Sequence, residues 1–412
     1  MSDKNIKKKT ELLAPAGDFE KLEIATNYGA DAVYIGGKNF SLRNFSKNFA
    51  IEEIDKAVKF ARKKNVKTYV ACNIYPRNSE QKEIEKHLKD LNEIKPDALI
   101  IADAGILSTA LELAPNIPLH LSTQANSTNY KSALFWKKIG VIRVNTAREL
   151  SIAEIKEIAE KSQMQIEAFV HGSMCISYSG RCLLSSFLSQ RDANRGECAH
   201  PCRWKYYLTE ELRPQEVMKI YEDKRGSYIF NSKDLCMIDH IPEMINAGVN
   251  SLKIEGRMKG IHYLATVVNT YKSALNEYYN DPLNYKAQNW HKKELASINA
   301  RGYCTGFYFG DPEQNYFKTS FKDDKIFAGK VIKESEKDNI TKLYLTKIEA
   351  RNKIEKGDKI EILKKLAPPL QDTVKAIYDK DMTETACAQP NQIAFILTKT
   401  EACENDLIRK YK

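Results

Sequence analysis

Residues 52–73 read EEIDKAVKFARKKNVKTYVACN. Ile54, Ala57, Val58 and Ala61 recur at i, i+3, i+4 spacing, which predicts a helix with one apolar face. The run that follows, KTYVACN (67–73), is rich in β-branched and aromatic residues and ends on a polar one, which predicts a strand. A helix that hands over to a buried strand is half of a βαβ unit, and repeated units of this kind build parallel sheets.

The same alternation extends in both directions. Further strands are expected at ELLAPAG (11–17), AVYIGG (32–37), ALIIAD (98–103), LHLSTQ (119–124), RVNTAR (143–148), IEAFVHGS (166–173) and SLKIEG (251–256). Eight strands within about 250 residues fit a TIM-type β/α barrel better than an open doubly wound sheet. Most of them end in polar residues or glycine, among them Asn73, Gln124, Arg148, His171, Glu255 and Arg257. In a barrel such ends converge on one mouth, where catalytic groups sit. Turn chemistry alone explains small polar residues at strand ends, but accounts less readily for Glu, Arg and His there.

Residues 174–236 interrupt the barrel pattern with an insertion too long to be an idle loop. The domain reading is a flexible basic N-terminus (1–10), the barrel with its insertion (11–280), a helix-plus-loop connector (281–324) and a C-terminal β domain (325–412). The last rests on AGKVIKE, KLYLTKI, GDKIEIL, TVKAIYD and QIAFILT, short strands that predict a small all-β, barrel-like domain.

Of the 412 residues, 42% are hydrophobic and 29% charged, an ordinary globular composition. No apolar run of about 18 residues exists to cross a membrane, and the basic start MSDKNIKKK lacks the apolar core of a secretory signal. The expected location is the cytoplasm. The net charge of +10 permits a polyanionic partner such as RNA without requiring one.

In a reducing compartment cysteines serve metals or redox chemistry more often than disulfides. Five of the nine cluster at Cys175, Cys182, Cys198, Cys202 and Cys236. Such thiols can hold an iron–sulfur cluster or zinc. No CxxC pair occurs, and the wide, irregular spacing favours the cluster. A Cys nucleophile with His171 or His200 as base is the competing chemistry, but no third orienting group is evident. Cys72, Cys304, Cys387 and Cys403 read as small hydrophobes.

The stretches EAFVHGSMCISYSGRCLLS (167–185) and NRGECAHPCRW (194–204) resemble the collagenase-like peptidase family, peptidase U-32. Within it they look most like the bacterial tRNA uridine hydroxylation proteins. HLSTQAN, IFNSKDLCMI, SLKIEGRMK and RGYCTGFYFG extend the resemblance over almost the whole chain. It implies a [4Fe–4S] protein on an incomplete or modified TIM-type barrel. It also implies O2-independent hydroxylation of the wobble uridine in the tRNA anticodon loop to 5-hydroxyuridine, with prephenate as the hydroxyl donor. Other members act on ribosomal RNA or a quinone precursor, and proteolysis, as the family name suggests, is the alternative. No HExxH or GxSxG supports hydrolysis. The implied cluster ligands are Cys175, Cys182 and Cys198, with Cys202 as in the tRNA proteins or Cys236 as in the quinone-hydroxylating relatives.

A dicarboxylate donor calls for arginines. Arg148 and Arg257 are the candidates at the mouth, with Arg43 and Arg181 further out. His171 and Glu255 are acid/base or orienting candidates. Gln124 and Asn126 can read a base edge or cap a helix, with capping preferred for Asn126. Trp204, Tyr206 and Tyr207 can stack on a base, and the lysines of the β domain can grip phosphates.

Overall fold

The computed structural model describes residues 9–38, 40–41, 48–174, 177–178, 181–195, 197–204, 222–223, 226–227, 233–298, 302–310 and 325–411. Cys175, Gly180, Gly196, Arg43, Tyr206, Tyr207 and residues 1–8 of the basic N-terminus lie outside them.

Seven parallel strands follow in order: β1 (Glu11–Pro15), β2 (Ala32–Gly36), β3 (Lys67–Cys72), β4 (Ala98–Ile101), β5 (Leu119–Leu121), β6 (Val141–Asn145) and β7 (Gln165–Ser173). Each pairs with the next. After the insertion a short strand, β8 (Asp234–Cys236), precedes β9 (Val249–Ile254). β9 pairs in parallel with both β7 and β1, in registers that include Leu252↔Ala168 and Leu252↔Leu12. The eight strands β1–β7 and β9 therefore close into a complete barrel, where the resemblance left room for an incomplete one.

Sequence explains the local structure. The helix Ile51–Lys63 buries the four residues of its apolar stripe, Ile54, Ala57, Val58 and Ala61. Glu52 and Glu53 occupy its first turn and Arg62 and Lys63 its last, each charge facing the favourable end of the helix dipole. Asp103 caps the helix Ala104–Leu113 by accepting from Ile106 N at 2.9 Å. β1, β2 and β4 are buried at every residue, as parallel strands covered on both faces must be.

β8 turns back antiparallel on the end of β7, and β10 (Tyr303–Cys304) adds in parallel to β8. Part of the stretch expected to be a connector thus joins the barrel sheet. Compactness divides the chain into two units: 1–22, 31–258 and 301–319 form one, and 23–30, 259–300 and 320–412 the other.

The second unit carries a nine-stranded antiparallel sheet built on Lys325–Val331, Tyr344–Ala350, Lys359–Leu363, Ile393–Thr398 and Leu407–Tyr411, among others. Its core includes Ala328, Ile348, Ile360, Ile377, Ile396 and Ile408. The strand Leu407–Tyr411 was not anticipated. It places Arg409, 1% exposed, between Glu361 and Glu294 at 2.7 and 2.6 Å.

Candidate active site

One side of the barrel interior is apolar, with Leu13, Tyr34, Tyr69 and Ile100 in contact. The other holds ions. Glu11 binds Arg143 at 2.7 Å, accepts from Tyr69 Oη at 2.7 Å and from Ser251 Oγ at 3.0 Å. Glu167 pairs with Lys253 at 2.7 Å and lies 3.6 Å from Arg143. Burial would raise the Glu11 carboxyl, but Arg143 and the Tyr69 hydrogen bond outweigh it and hold it below the usual range. Burial, reinforced by Arg143, Lys253 and Lys67, pushes His120 well below the ordinary imidazole range, so it is neutral. Buried charges demand such pairing, because an unmatched one costs several kcal/mol. The sequence reading missed this network. Its signal was a charged residue inside an otherwise apolar strand, as in SLKIEG.

Above this layer the strand ends meet, as the barrel requires. His171 is 1% exposed, and its Nε2 lies 3.4 Å from Tyr303 Oη on β10. At Gly172, φ is +111°, and a Cβ would stand 2.6 Å from Glu255 O, so only glycine lets β7 and the end of β9 approach this closely. Glu255 is buried, and its N–H donates to His171 O at 2.9 Å. The burial of both side chains suits holding the mouth in shape as much as proton transfer.

The two arginines differ. Arg148 stacks on Phe169 at 3.9 Å and donates from Nη1 to Ser173 O at 2.8 Å, bracing β7 where the insertion departs. Arg257 is buried, with Nη2 3.3 Å from Ser41 Oγ, and it fills the space a side chain at Gly36 would need. Arg181 is exposed; its positive charge opposes the upward shift that burial imposes on the Tyr75 hydroxyl.

Asn126 does not cap the next helix. It takes a left-handed conformation (φ +50°) closing the turn Thr123–Ala125, and Asn129 caps the helix Tyr130–Lys138 by accepting from Ser132 N at 2.9 Å. Gln124 is buried against Asn73 at the ends of β5 and β3.

Of the five clustered cysteines, four lie in the described residues, all half-buried. Asn194 Nδ2 donates to Cys182 O at 3.0 Å, and Ala199 N donates to Ser185 Oγ at 3.0 Å, tying the arm of Cys182 to that of Cys198. His200 N donates toward Cys198 Sγ at 3.4 Å. Cys202 lies in the turn Pro201–Arg203, and Cys236 pairs in register with His171. Among the described residues no three Cys, His, Asp or Glu converge as a metal site, and Cys175 lies outside them. Thiols are a donor set that an iron–sulfur cluster or zinc accepts.

Burial pushes the Cys72 thiol up to about 12, an inert core thiol as expected. Cys403 is exposed and Cys304 and Cys387 half-buried, so these three are not the buried hydrophobes the sequence suggested. No helix among the described residues is long and apolar enough to cross a membrane.

A closed β/α barrel with a polar mouth and a thiol-bearing excursion from its seventh strand defines the class. The model of peptidase family U32 matches residues 17–318, and that of the family's C-terminal domain matches 323–409. The chain belongs to peptidase family U32. It is 41% identical over 411 residues to tRNA hydroxylation protein P1 of Bacillus subtilis, covering 99% of this chain and 96% of that one. It is 36% identical over 400 residues to tRNA hydroxylation protein P of Escherichia coli, covering 86% of each. It is also 35% identical over 266 residues to the 23S rRNA 5-hydroxycytidine C2501 synthase of Escherichia coli, covering 65% of this chain and 39% of that one.

Proposed function

We propose that this protein is a tRNA hydroxylase that converts the wobble uridine of an anticodon loop to 5-hydroxyuridine. The reading is carried by the likeness to a tRNA hydroxylation protein over almost the full length of both chains. It includes a [4Fe–4S] cluster held by Cys175, Cys182 and Cys198 with either Cys202 or Cys236, prephenate as hydroxyl donor, and a reaction that needs no O2.

The cluster would supply electron transfer or Lewis acidity beside the mouth. The chain's own groups do the rest. Arg148 braces Ser173 with Nη1, while its Nη2 keeps no protein acceptor among the described residues and can bind a carboxylate of the donor. His171 and Glu255 hold the facing ends of β7 and β9. An anticodon loop offers an unstacked base that can enter such a mouth, and Trp204, 40% exposed, offers a stacking face. The lysines of the C-terminal sheet would meet phosphates.

The test is mass analysis of tRNA nucleosides from a strain lacking the protein and its paralogues, with and without the restored chain. Loss and recovery of 5-hydroxyuridine is expected. Unchanged tRNA together with cleavage of gelatin by the purified protein would replace this reading with proteolysis.

A further inference from the structure

Two amides meet at the mouth between β3 and β5. Asn73 Nδ2 donates to Gln124 Oε1 at 2.7 Å, and Ser122 Oγ lies 3.5 Å from the same oxygen. The Gln124 main chain is held as well. Tyr75 Oη donates to its carbonyl at 2.5 Å, and Ser122 Oγ accepts from its N–H at 3.4 Å. The residue is 9% exposed. Its Oε1 is therefore committed, while Nε2 has no protein acceptor among the described residues. A glutamine free to turn about its last torsion offers donor or acceptor as needed. This one has lost that choice.

We infer that Gln124 is a fixed hydrogen-bond donor that reads the substrate base and makes the site select uridine over cytidine, with Asn73 as its positioning residue. The inference rests on the RNA hydroxylase reading. Next to C5, uracil carries the O4 acceptor where cytosine carries an amino donor. A donor held in place pairs with O4, but faces the cytosine amino group donor to donor, leaving both without a partner in a largely buried site.

The experiment compares binding of two anticodon stem–loop RNAs, with U or C at the wobble position, by the anaerobically purified full-length protein, read by fluorescence anisotropy. Wild type should favour the U form by roughly ten-fold, the scale of one discriminating base contact. Gln124→Ala should bring the ratio close to one. Gln124→Glu keeps the shape but presents only acceptors, and should favour the C form. Asn73→Asp should do the same, because a carboxylate at 73 turns Gln124 Nε2 toward itself and Oε1 outward. A wild-type preference for U that persists in folded Gln124→Glu and Asn73→Asp overturns the role of Gln124 and leaves the hydroxylase reading standing. Wild type that binds neither stem–loop better than an unrelated hairpin overturns both.

Discussion

Cys236 stands opposite His171, paired in register where β8 runs back along the end of β7. A thiol distant in sequence from the other four is thereby fixed beside the barrel mouth, while Cys202 shares a short segment with Cys198. Four thiolates complete a cubane cluster. Cys182→Ala and Cys198→Ala should each abolish bound iron. Of Cys202→Ala and Cys236→Ala, one should abolish it and the other retain it, as read by iron and sulfide content after anaerobic purification. Iron retained in all four variants would refute the ligand set.

The Lys253–Glu167 pair, 2.7 Å apart with both side chains buried, carries a stability prediction. Lys253→Met leaves Glu167 with Arg143, 3.6 Å away, as its cation among the described residues. Unfolding in denaturant should show a loss of about 3–5 kcal/mol. The double variant Lys253→Met/Glu167→Gln should lose clearly less than the sum of the single changes.

Gly172→Ala sets a side chain 2.6 Å from the Glu255 carbonyl on a backbone with φ +111°. A cost of about 2 kcal/mol or more is expected. The disturbance lies one residue past His171 and three before Cys175, so iron content should fall along with the melting temperature. Wild-type iron in a destabilised Gly172→Ala protein would separate the loop from this crossing.

Asp406 in the C-terminal unit is raised by burial from the ordinary 3.8 to about 6. A carboxyl whose folded value is raised binds its proton more tightly in the native state, so its contribution to stability declines as pH rises from 3.8 to 6. At neutral pH the ionised group costs about 1–3 kcal/mol, a figure that already contains the attraction of Lys364 at 3.8 Å. Asp406→Asn keeps an acceptor for Cys403 N, 2.8 Å away. It should melt higher than wild type at pH 7, with the gain gone by pH 4.

The barrel was legible because its signals repeat. Ile54, Ala57, Val58 and Ala61 announced a buried helix face, and they are buried. Strands of two or three residues, such as Tyr303–Cys304 and Asp234–Cys236, are too short to show a period, so the sheet's extension beyond β7 could not be foreseen. Leu407–Tyr411 reads as a charged chain end, because the ionic partners that bury Arg409 come from positions 294 and 361. At the mouth, His171, Glu255 and Arg257 were correctly placed at strand ends. What each one touches depends on side-chain packing between distant segments, which spacing does not encode. Asn73 and Gln124 were each visible as strand-end polar residues, but their hydrogen bond joins positions 51 residues apart.

Ser173 and Asp234 are partners in the pairing of β7 with β8, so the chain leaves the sheet and rejoins it at neighbouring positions. The chain between them is thus closed into a ring at that pairing. The entropy of closing such a ring grows only with the logarithm of its length. Its contents can lengthen, shorten or be exchanged while the eight-stranded frame keeps every one of its own hydrogen bonds. An architecture of this kind separates the inheritance of the scaffold from that of its reactive cassette, and one frame can then host catalysts for different substrates.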